Sequence, residues 1–599
     1  MFAIIHILYG GDIMLKLLKN FEKKDFFIVL AVFILVVFSV FLDLRIPEYM
    51  SEITQLVQTE NSTMNEILIA GGHMVLCAVG SLLCTIVVGY LTSLLSARFS
   101  RNVRRKIFSK VEDFGIAEIK KFQTSSLITR STNDVTQIEM LLGMGLQLII
   151  KAPVMAIWAL SKIIGKSGEL SVITAIGVVL IVVTNLIIIS IVTPRFTKIQ
   201  KLTDKVNGVT RENITGIQVI HAFNAEDFQE KRFDNVNEDI TGIHLKVTRT
   251  FALMEPMMNF VMHFQHLAIY VVGAFLIIQC SMVDKITMFS NMVVFSSYGM
   301  QVIISFLLLT FIFMVAPRAK VSAKRINEVL DEEISIKNGT FNGKTDVTGL
   351  VEFKNVSFKY PDADEYVLKD ISFKVNKGET IAFIGSTGSG KSTLINLVPR
   401  LYDVVDGEVL VDGVNVKEYD IKALNNKIGY ISQTAVMFTG SVFDNVAYGD
   451  NGKKKPSLDK IKEAIKIAHA KDFVEKMDNK YKSHIARGGT NISGGQKQRL
   501  SIARAIARDP EIYIFDDSFS ALDYQTDLTL RQELKKHTKD ATSMIVAQRI
   551  GTIMNADKII VLDKGECVGI GTHKELLKNC DVYKEIALSQ LSEEELENA

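Results

Sequence analysis

Apolar residues are spread unevenly along this chain, and the first half holds six long stretches of them. These stretches are 26–45, 67–95, 140–161, 170–192, 251–282 and 286–314. A run of about 20 apolar residues is long enough to cross the hydrocarbon core of a bilayer. One such run could be the core of a soluble domain, but six of them predict an all-α membrane domain over 1–317, in contact with the lipid bilayer.

The distribution of lysine and arginine orients these spans. Segments 98–130 and 195–249 hold nine basic residues each, whereas 46–66 holds four glutamates and no Lys or Arg. Because cytoplasmic loops carry the excess of basic residues, both long segments and the N-terminus are predicted to be cytoplasmic, in a multi-pass plasma-membrane protein. Lys162 and Lys166 oppose this bias, but their loop is too short to reverse it. Turns near 115–126 and 213–225 are predicted to hold short cross-helices.

The second half of the chain contains a phosphate-binding pattern. Residues 385–392, GSTGSGKS, fit GxxxxGK[ST], with an apolar strand over 380–384 before them and a helical stretch over 392–401 after them. In such a loop, backbone N–H groups converge on phosphate oxygens at a helix N-terminus. Lys391 would reach the β- and γ-phosphates, and Ser392 would bind Mg²⁺. The predicted nucleotide-binding residues of this loop are Gly385, Ser386, Thr387, Gly388, Ser389, Gly390, Lys391, Ser392 and Thr393.

A second buried strand, 511–517, ends in two acids. Asp516 is placed to hold Mg²⁺, through a water molecule. A glycine-rich loop alone could be a simple turn, but the loop and the acidic strand end together predict an α/β ATPase domain over 351–590. ATP and Mg²⁺ are therefore the predicted cofactors. The formal net charge of +2 gives no argument for nucleic acid as a partner.

Residues 491–499, NISGGQKQR, with a helical run over 500–508, resemble the signature sequence of ABC ATPases. Other elements of that family follow in the same order. Tyr360 matches its adenine-stacking aromatic, Gln433 its lid glutamine that senses Mg²⁺ and the membrane domains, and 520–523 (SALD) its dimer-interface loop. The resemblance adds Gln433 to Ser392 and Asp516 as a residue for Mg²⁺.

The resemblance covers nearly the whole chain. Six spans fused to a C-terminal ATPase domain resemble an exporter-type half-transporter, because importers of this family usually carry the ATPase on a separate chain. A charged linker is predicted over 318–350 and an acidic tail over 591–599. The short cross-helices are expected to touch ATPase domains.

The resemblance also implies a second half-transporter subunit as partner. In this family two ATPase domains pair head to tail, so the signature of each closes on the γ-phosphate held by the other. A hydroxyl and backbone donors at a helix N-terminus form an anion site, which suits that role. The residues predicted to act in trans on the partner's ATP are Ser493, Gly494, Gly495, Gln496 and Asp523.

Two residues depart from the family pattern at catalytic positions. Asp517 stands where relatives have the glutamate that polarises the attacking water, and a carboxylate displaced by roughly 1 Å can cost on the order of 10²-fold in rate. Gln548 stands where relatives have a histidine that contacts the γ-phosphate, and an amide cannot carry imidazolium charge. Arg487 replaces a glutamate before the signature, which leaves the family's coupling salt bridge there in doubt.

With an intact signature, these departures resemble the degenerate-site subunit of bacterial heterodimeric multidrug ABC exporters. The chain would bind ATP, hydrolyse it slowly, and complete a competent site on its partner. A homodimeric exporter of lipid, drug or peptide with two slow sites is the alternative. A regulatory ATP-binding membrane protein without transport is a further alternative, which the intact signature disfavours.

Polar residues in the last two spans are candidates for a cargo cavity, which would suit a small hydrophobic or amphipathic compound. Equally, they could pair helix to helix while methionines fill core gaps. Lys151 is either a cavity charge or a lysine that snorkels or pairs. The polar residues are Glu255, Asn259, His263, Gln265, His266, Asn291, Ser297, Tyr298, Gln301 and Ser305. Either Met1 or Met14 could be the true start.

Overall fold

The computed structural model describes residues 11–19, 21–59, 62–164, 167–279, 282–592 and 596. The described residues form two compact units, one reaching Glu112 and resuming over Thr124–Glu332, the other comprising Asp113–Gln123 and the chain from Glu333 onward. Met1, Lys166 and the acidic residues of the predicted tail lie outside the described residues.

The first unit is built of helices. They are α1 (Gly11–Leu18), α2 (Lys23–Gln58), α3 (Met64–Glu112), α5 (Thr124–Ser131), α6 (Asn133–Met140), α7 (Leu146–Ile163), α8 (Gly168–Thr215), α9 (Ile217–Ala222), α10 (Glu226–Ala252), α11 (Met254–Gln279) and α12 (Met282–Asp331). A π-helical turn, Leu141–Gly145, joins α6 to α7. Apolar side chains of α2, α7, α8, α11 and α12 form one of its buried clusters, which includes Val40, Met155, Leu170, Ile269 and Phe295.

Six helical stretches of the described chain are long and apolar enough to cross a membrane. They are Lys23–Gln58, Met64–Glu112, Thr124–Ile163, Gly168–Thr215, Glu226–Gln279 and Lys285–Leu309. The predicted all-α membrane domain is therefore confirmed. Several helices extend beyond the apolar stretches, because the polar residues that follow also favour helix. Thus α2 continues to Gln58, beyond the predicted end at 45, and α12 reaches Asp331, inside the predicted linker.

The second unit begins with α4 (Ile116–Phe122) and continues as an α/β domain, as predicted. Its strands are β1 (Val351–Phe358), β2 (Leu368–Val375), β3 (Thr380–Gly385), β4 (Asp406–Val411), β5 (Val414–Asn415), β6 (Ile428–Ile431), β7 (Gly440–Ser441), β8 (His484–Ile485), β9 (Ile512–Asp516), β10 (Thr542–Val546), β11 (Lys558–Asp563) and β12 (Glu566–Gly571). Its later helices are α13 (Lys391–Asn396), α14 (Ile421–Asn426), α15 (Val442–Val446), α16 (Leu458–Ile467), α17 (Lys471–Glu475), α18 (Gly494–Arg508), α19 (Tyr524–His537), α20 (Ile550–Ile553), α21 (His573–Asn579) and α22 (Asp581–Leu588).

Two larger sheets organise this unit. Strands β2-β1-β4-β5 form an antiparallel sheet, and β12-β11-β3-β10-β9-β6 form a second sheet that is parallel except at β12. Val546 pairs with Phe383 on one side and with Asp516 on the other. Because the carboxyl ends of parallel strands share one edge, the residues that follow β3, β9 and β10 meet there.

Helix α13 ends at Asn396, earlier than the predicted limit at 401. After it the chain closes in tighter turns, in which the N–H of Leu397 donates to the Leu394 carbonyl and that of Arg400 to the Leu397 carbonyl. Arg400 has a φ of 55°, a left-handed conformation that terminates a helix.

Candidate nucleotide-binding site

The phosphate loop leaves the carboxyl end of β3 and wraps around the side chain of Lys391. Gly388 and Gly390 have φ values of 85° and 95°, which L side chains rarely adopt. The Lys391 ammonium donates to the carbonyl oxygens of Gly385 at 2.9 Å and Ser386 at 2.7 Å. Burial lowers the pKa of Lys391, and the nearby charges of Asp517 and Asp516 oppose this. The cation is thus held at the mouth of the loop.

Ser392 and Asp516 form an oxygen pair beside the loop. The Ser392 hydroxyl donates to Asp516 Oδ1 at 2.7 Å, and Asp516 is 6% exposed. Burial raises the pKa of Asp516, and the hydrogen bond from Ser392 only partly opposes that rise. A hydroxyl next to a carboxylate at a phosphate loop is a donor set that suits Mg²⁺, so these residues fit the predicted ion. Gln433, the third residue predicted to bind Mg²⁺, instead donates a hydrogen bond to Asp517.

Asp517 is the centre of a compact polar cluster. It has a left-handed φ of 45°, and its N–H donates to the Val546 carbonyl at 3.1 Å. Its Oδ2 accepts hydrogen bonds from Gln548 Nε2 at 2.7 Å and from Gln433 Nε2 at 3.2 Å. The two residues that depart from the family pattern therefore contact each other directly.

Gln590, near the end of the described chain, supports the Gln548 loop. Its Nε2 donates to the Gln548 carbonyl at 2.8 Å, and its Oε1 accepts from the Ile550 N–H at 2.9 Å. Sequence reasoning missed this residue, because nothing in the pattern around 590 signals a contact with a loop 42 residues earlier. It fixes the backbone that presents Gln548 to Asp517.

Tyr360 lies against the helix that follows the phosphate loop. Its hydroxyl is 2.9 Å from Thr393 Oγ1, in α13. Its half-buried ring meets Phe358 and Tyr402 edge to face, at centroid distances of 5.1 Å and 5.3 Å. The residue predicted to stack on adenine is therefore within reach of the phosphate site.

The signature residues begin helix α18. Ser493 is its N-cap: its hydroxyl accepts from the Gln496 N–H at 3.3 Å, and its own N–H donates to Gln496 Oε1 at 2.9 Å. Ser493 and Gly494 are exposed. A Cβ at Gly494 would meet nothing within 4 Å, whereas one at Gly495 would lie 3.3 Å from the Ala521 carbonyl.

Two further contacts bear on the signature region. Asp523 caps α19 by accepting from the Thr526 N–H at 3.0 Å, and hydrogen bonds from Thr526 lower the pKa of Asp523. Gln498 Nε2 donates to the Ser432 carbonyl at 3.2 Å, which ties α18 to the strand end next to Gln433.

The polar residues of the membrane spans divide into two groups. Tyr298 and Lys151 pair helix to helix, with the Tyr298 hydroxyl donating to the Leu44 carbonyl at 3.0 Å and Lys151 Nζ 3.2 Å from Asp43 Oδ2. Gln265 is 2% exposed, and its amide atoms have no hydrogen-bond partner among the described residues. Two further candidates contact a neighbouring helix: Gln301 Nε2 donates to the Asp43 carbonyl at 3.4 Å, and His266 Nε2 lies 3.3 Å from the Ser296 carbonyl. The Ser305 hydroxyl donates within its own helix, to the Gln301 carbonyl at 2.8 Å. For the remaining candidates, a cargo cavity stays a prediction.

Comparison with known proteins places these features in a family. Residues 28–302 match the family model described as ABC transporter transmembrane region, and residues 368–520 match the one described as ABC transporter. The chain is 38% identical, over 87% of its length, to an uncharacterised ABC transporter ATP-binding protein of Mycobacterium tuberculosis, and covers 87% of that protein. It is 32% identical, over 83% of its length, to a Staphylococcus aureus ATP-binding/permease protein provisionally named for multidrug export, and covers 85% of it.

A solved structure of a bacterial Atm1-family ABC exporter with ATP bound has the same fold, with a TM-score of 0.80 and 21% identity. The similarity covers 94% of this chain and 99% of the exporter chain. These matches confirm the resemblance for both halves of the polypeptide. The chain belongs to the ABC transporter family, as an exporter-type member that carries its transmembrane and ATPase domains on one polypeptide.

Proposed function

We propose that this chain is one half of a heterodimeric exporter, with a slow ATP site of its own and a signature that completes a fast site on its partner. The observation that carries this proposal is the engagement of Asp517. A carboxylate that orients an attacking water needs a free oxygen directed at that water. Here one oxygen, Oδ2, already accepts from both Gln548 and Gln433.

The phosphate side of the site is intact by contrast. Gly385 to Thr393 supply backbone donors, and Lys391 exchanges its carbonyl contacts for phosphate oxygens when ATP binds. Ser392 and Asp516 would hold Mg²⁺, with Gln433 as the third residue, and the ion would neutralise charge on the β- and γ-phosphates. Tyr360 stacks on the adenine. The chain thus binds ATP, and hydrolysis is slow because Asp517 and Gln548 occupy the catalytic positions.

The exposed signature is proposed to act on the ATP that the partner subunit binds. Ser493 and Gly494 are exposed at the N-terminus of α18. Ser493, Gly494, Gly495 and Gln496 are therefore assigned to the partner's γ-phosphate, with Asp523 on the same interface. ABC exporters work as dimers, which supports such pairing. Exposed apolar side chains near the second turn, at Ile214, Val219 and Phe223, favour a further contact with a partner.

The proposed setting is the plasma membrane, with the N-terminus and the ATPase domain in the cytoplasm. The basic residues of segments 98–130 and 195–249 support this orientation. ATP binding at both composite sites draws the ATPase domains together, and the cross-helices tilt the spans from inward-open to outward-open. Hydrolysis at the partner's site resets the transporter.

The proposed cargo is a small hydrophobic or amphipathic compound. The methionines and polar residues of α11 and α12 support it, since a thioether adapts to irregular apolar shapes. The relative provisionally named for multidrug export is consistent with this class.

The test compares ATPase activity of the purified chain alone and together with its partner, in nanodiscs. We expect weak activity alone and a steep rise on pairing. In the pair, Asp517→Asn should change turnover by less than about two-fold, because the partner's site dominates. Strong turnover by the isolated chain, reached without a partner, would contradict the slow site. Affinity purification from the native membrane that yields this chain as the single subunit would favour the homodimeric exporter with two slow sites.

A further inference from the structure

Helix α4 (Ile116–Phe122) lies in the basic segment between the second and third spans, yet its contacts make it part of the ATPase unit. Ile116 and Ala117 pack against the buried core of that unit. Glu118 Oε1 accepts a hydrogen bond from the Ser335 N–H at 3.1 Å. These contacts hold the helix against the ATPase unit, and the helix carries Lys120 in its last turn.

The Lys120 ammonium lies over the ring of Tyr360, 5.0 Å from its centroid. This distance is within the range of a cation–π interaction. Tyr402 is also close: burial raises the pKa of its hydroxyl, and a hydrogen bond from Lys120, together with the Lys120 charge, opposes that rise. A residue outside every nucleotide motif thus reaches the aromatic residue that is predicted to stack on adenine.

Tyr360 joins Lys120 to the phosphate-binding helix. Its hydroxyl is 2.9 Å from Thr393 Oγ1, two residues after Lys391. The edge-to-face contacts with Phe358 and Tyr402 fix the plane of the ring. The hydroxyl contact, two ring contacts and the Lys120 ammonium therefore surround Tyr360, and the ammonium belongs to a single exposed lysine.

We propose that Lys120 is a positioning residue that competes with adenine for the ring of Tyr360, so that base binding releases α4 from the nucleotide site. This inference rests on the proposed binding of ATP at the phosphate loop. Since the two occupants exclude each other, the coupling is reciprocal: ATP weakens the Lys120 contact, and Lys120 lowers ATP affinity. The loop between the second and third spans thereby senses whether the base site is filled.

The expected effect is small, because Lys120 is exposed and solvent weakens a cation–π contact. Removing the ammonium should tighten ATP binding about two- to five-fold. The effect should depend on the base. Tripolyphosphate carries the same phosphates without adenine, so its affinity should not change.

Calorimetric titration of the full-length chain in nanodiscs, with Mg²⁺ present, tests this with ATP and with tripolyphosphate. The variants are Lys120→Met, which removes the cation, and Lys120→Arg, which keeps it. Lys121→Met is the matched control, since the Lys121 ammonium lies over Phe122 at 5.7 Å instead. We expect only Lys120→Met to tighten ATP binding, with tripolyphosphate unaffected.

Three results would overturn the inference: an unchanged or weaker ATP affinity in Lys120→Met, an equal shift for tripolyphosphate, or the same shift in Lys121→Met. An equal shift for tripolyphosphate would mean that Lys120 acts by charge alone. Lys391→Ala separates this from failure of the proposed function. If the unaltered chain binds no ATP, or binds it as well after Lys391→Ala, both proposals fail.

Discussion

The phosphate-loop face and the signature face of the ATPase unit differ in how their functional groups are engaged. On the first, Asp517 is 7% exposed and accepts from two amides, and Lys391 bonds the loop's own carbonyls. On the second, Ser493 and Gly494 are exposed, and the Ser493 hydroxyl does no more than cap its helix. On the first face the functional groups bond to each other, whereas on the second the first residues of the helix are open to solvent. This difference supports the proposal that the first face binds ATP while the second completes the partner's site.

The largest expected effect is at the signature. Gly494→Asp places a negative charge where the partner's γ-phosphate would bind, so ATPase activity of the assembled pair should fall about 100-fold. A side chain at this position has room, since a Cβ would meet nothing within 4 Å. Gly494→Ala therefore serves as the control for folding, with unchanged thermal stability of the isolated chain. Full activity in Gly494→Asp would contradict the proposal that the signature acts on the partner's ATP.

The next largest effect is at the phosphate loop. Lys391→Ala removes the cation that meets the phosphates, and charge-assisted hydrogen bonds of this kind contribute about 1.5–3 kcal/mol each. ATP affinity of the isolated chain should fall at least about ten-fold. Equilibrium dialysis with labelled ATP measures this. Unchanged affinity would contradict the assignment of ATP binding to the phosphate-loop face.

A double substitution tests whether Asp517 and Gln548 cause the slow hydrolysis. Asp517→Glu with Gln548→His restores the longer carboxylate and the imidazole, so hydrolysis by this chain's own site should rise about ten-fold. Single-turnover hydrolysis in the pair, with the partner's catalytic glutamate replaced, isolates that site. If neither the double variant nor its single components gains activity, the slow site has another cause.

The smallest effect concerns the attachment of α4 to the same unit. Burial raises the pKa of the Glu118 carboxyl, but hydrogen bonds from Ser335 outweigh this and leave the pKa below its ordinary 4.5. The stabilisation is thus present above pH 4.5 and is lost as the pH falls through the lower folded value. Glu118→Gln should cost about 1 kcal/mol at pH 7.

Thermal unfolding at pH 7 and at a pH below 4.5 measures this cost. The difference between Glu118→Gln and the unaltered chain should shrink on acidification. Glu112→Gln, at an exposed carboxylate of the preceding helix, is the control and should have little effect at either pH. A cost at Glu118 that does not depend on pH would argue against a charged hydrogen bond.

Sequence reasoning predicted the parts of the molecule that short-range pattern determines. The six spans follow from hydropathy, and the phosphate loop with its entering strand follows from glycine spacing. The signature helix begins at Gly494, before the predicted helical run over 500–508 and next to the predicted helix N-terminus at Ser493, which caps it.

What sequence reasoning missed depends on contacts between distant segments. Asp43 as the partner of Lys151, Gln590 as the support of Gln548, and Lys120 over Tyr360 each join residues from separate helices or loops. No local pattern marks such pairs. Likewise, the positions of Asp517 and Gln548 were singled out from the sequence, but their direct hydrogen bond is known only from the fold.

The most direct measurement of the central claim is the state of the nucleotide on each chain during turnover. A photoreactive, labelled ATP analogue is crosslinked to the native assembly in steady state, and the nucleotide on each subunit is identified as tri- or diphosphate. We expect predominantly triphosphate on this chain and a large diphosphate fraction on the partner. Equal diphosphate fractions on both subunits would contradict the account.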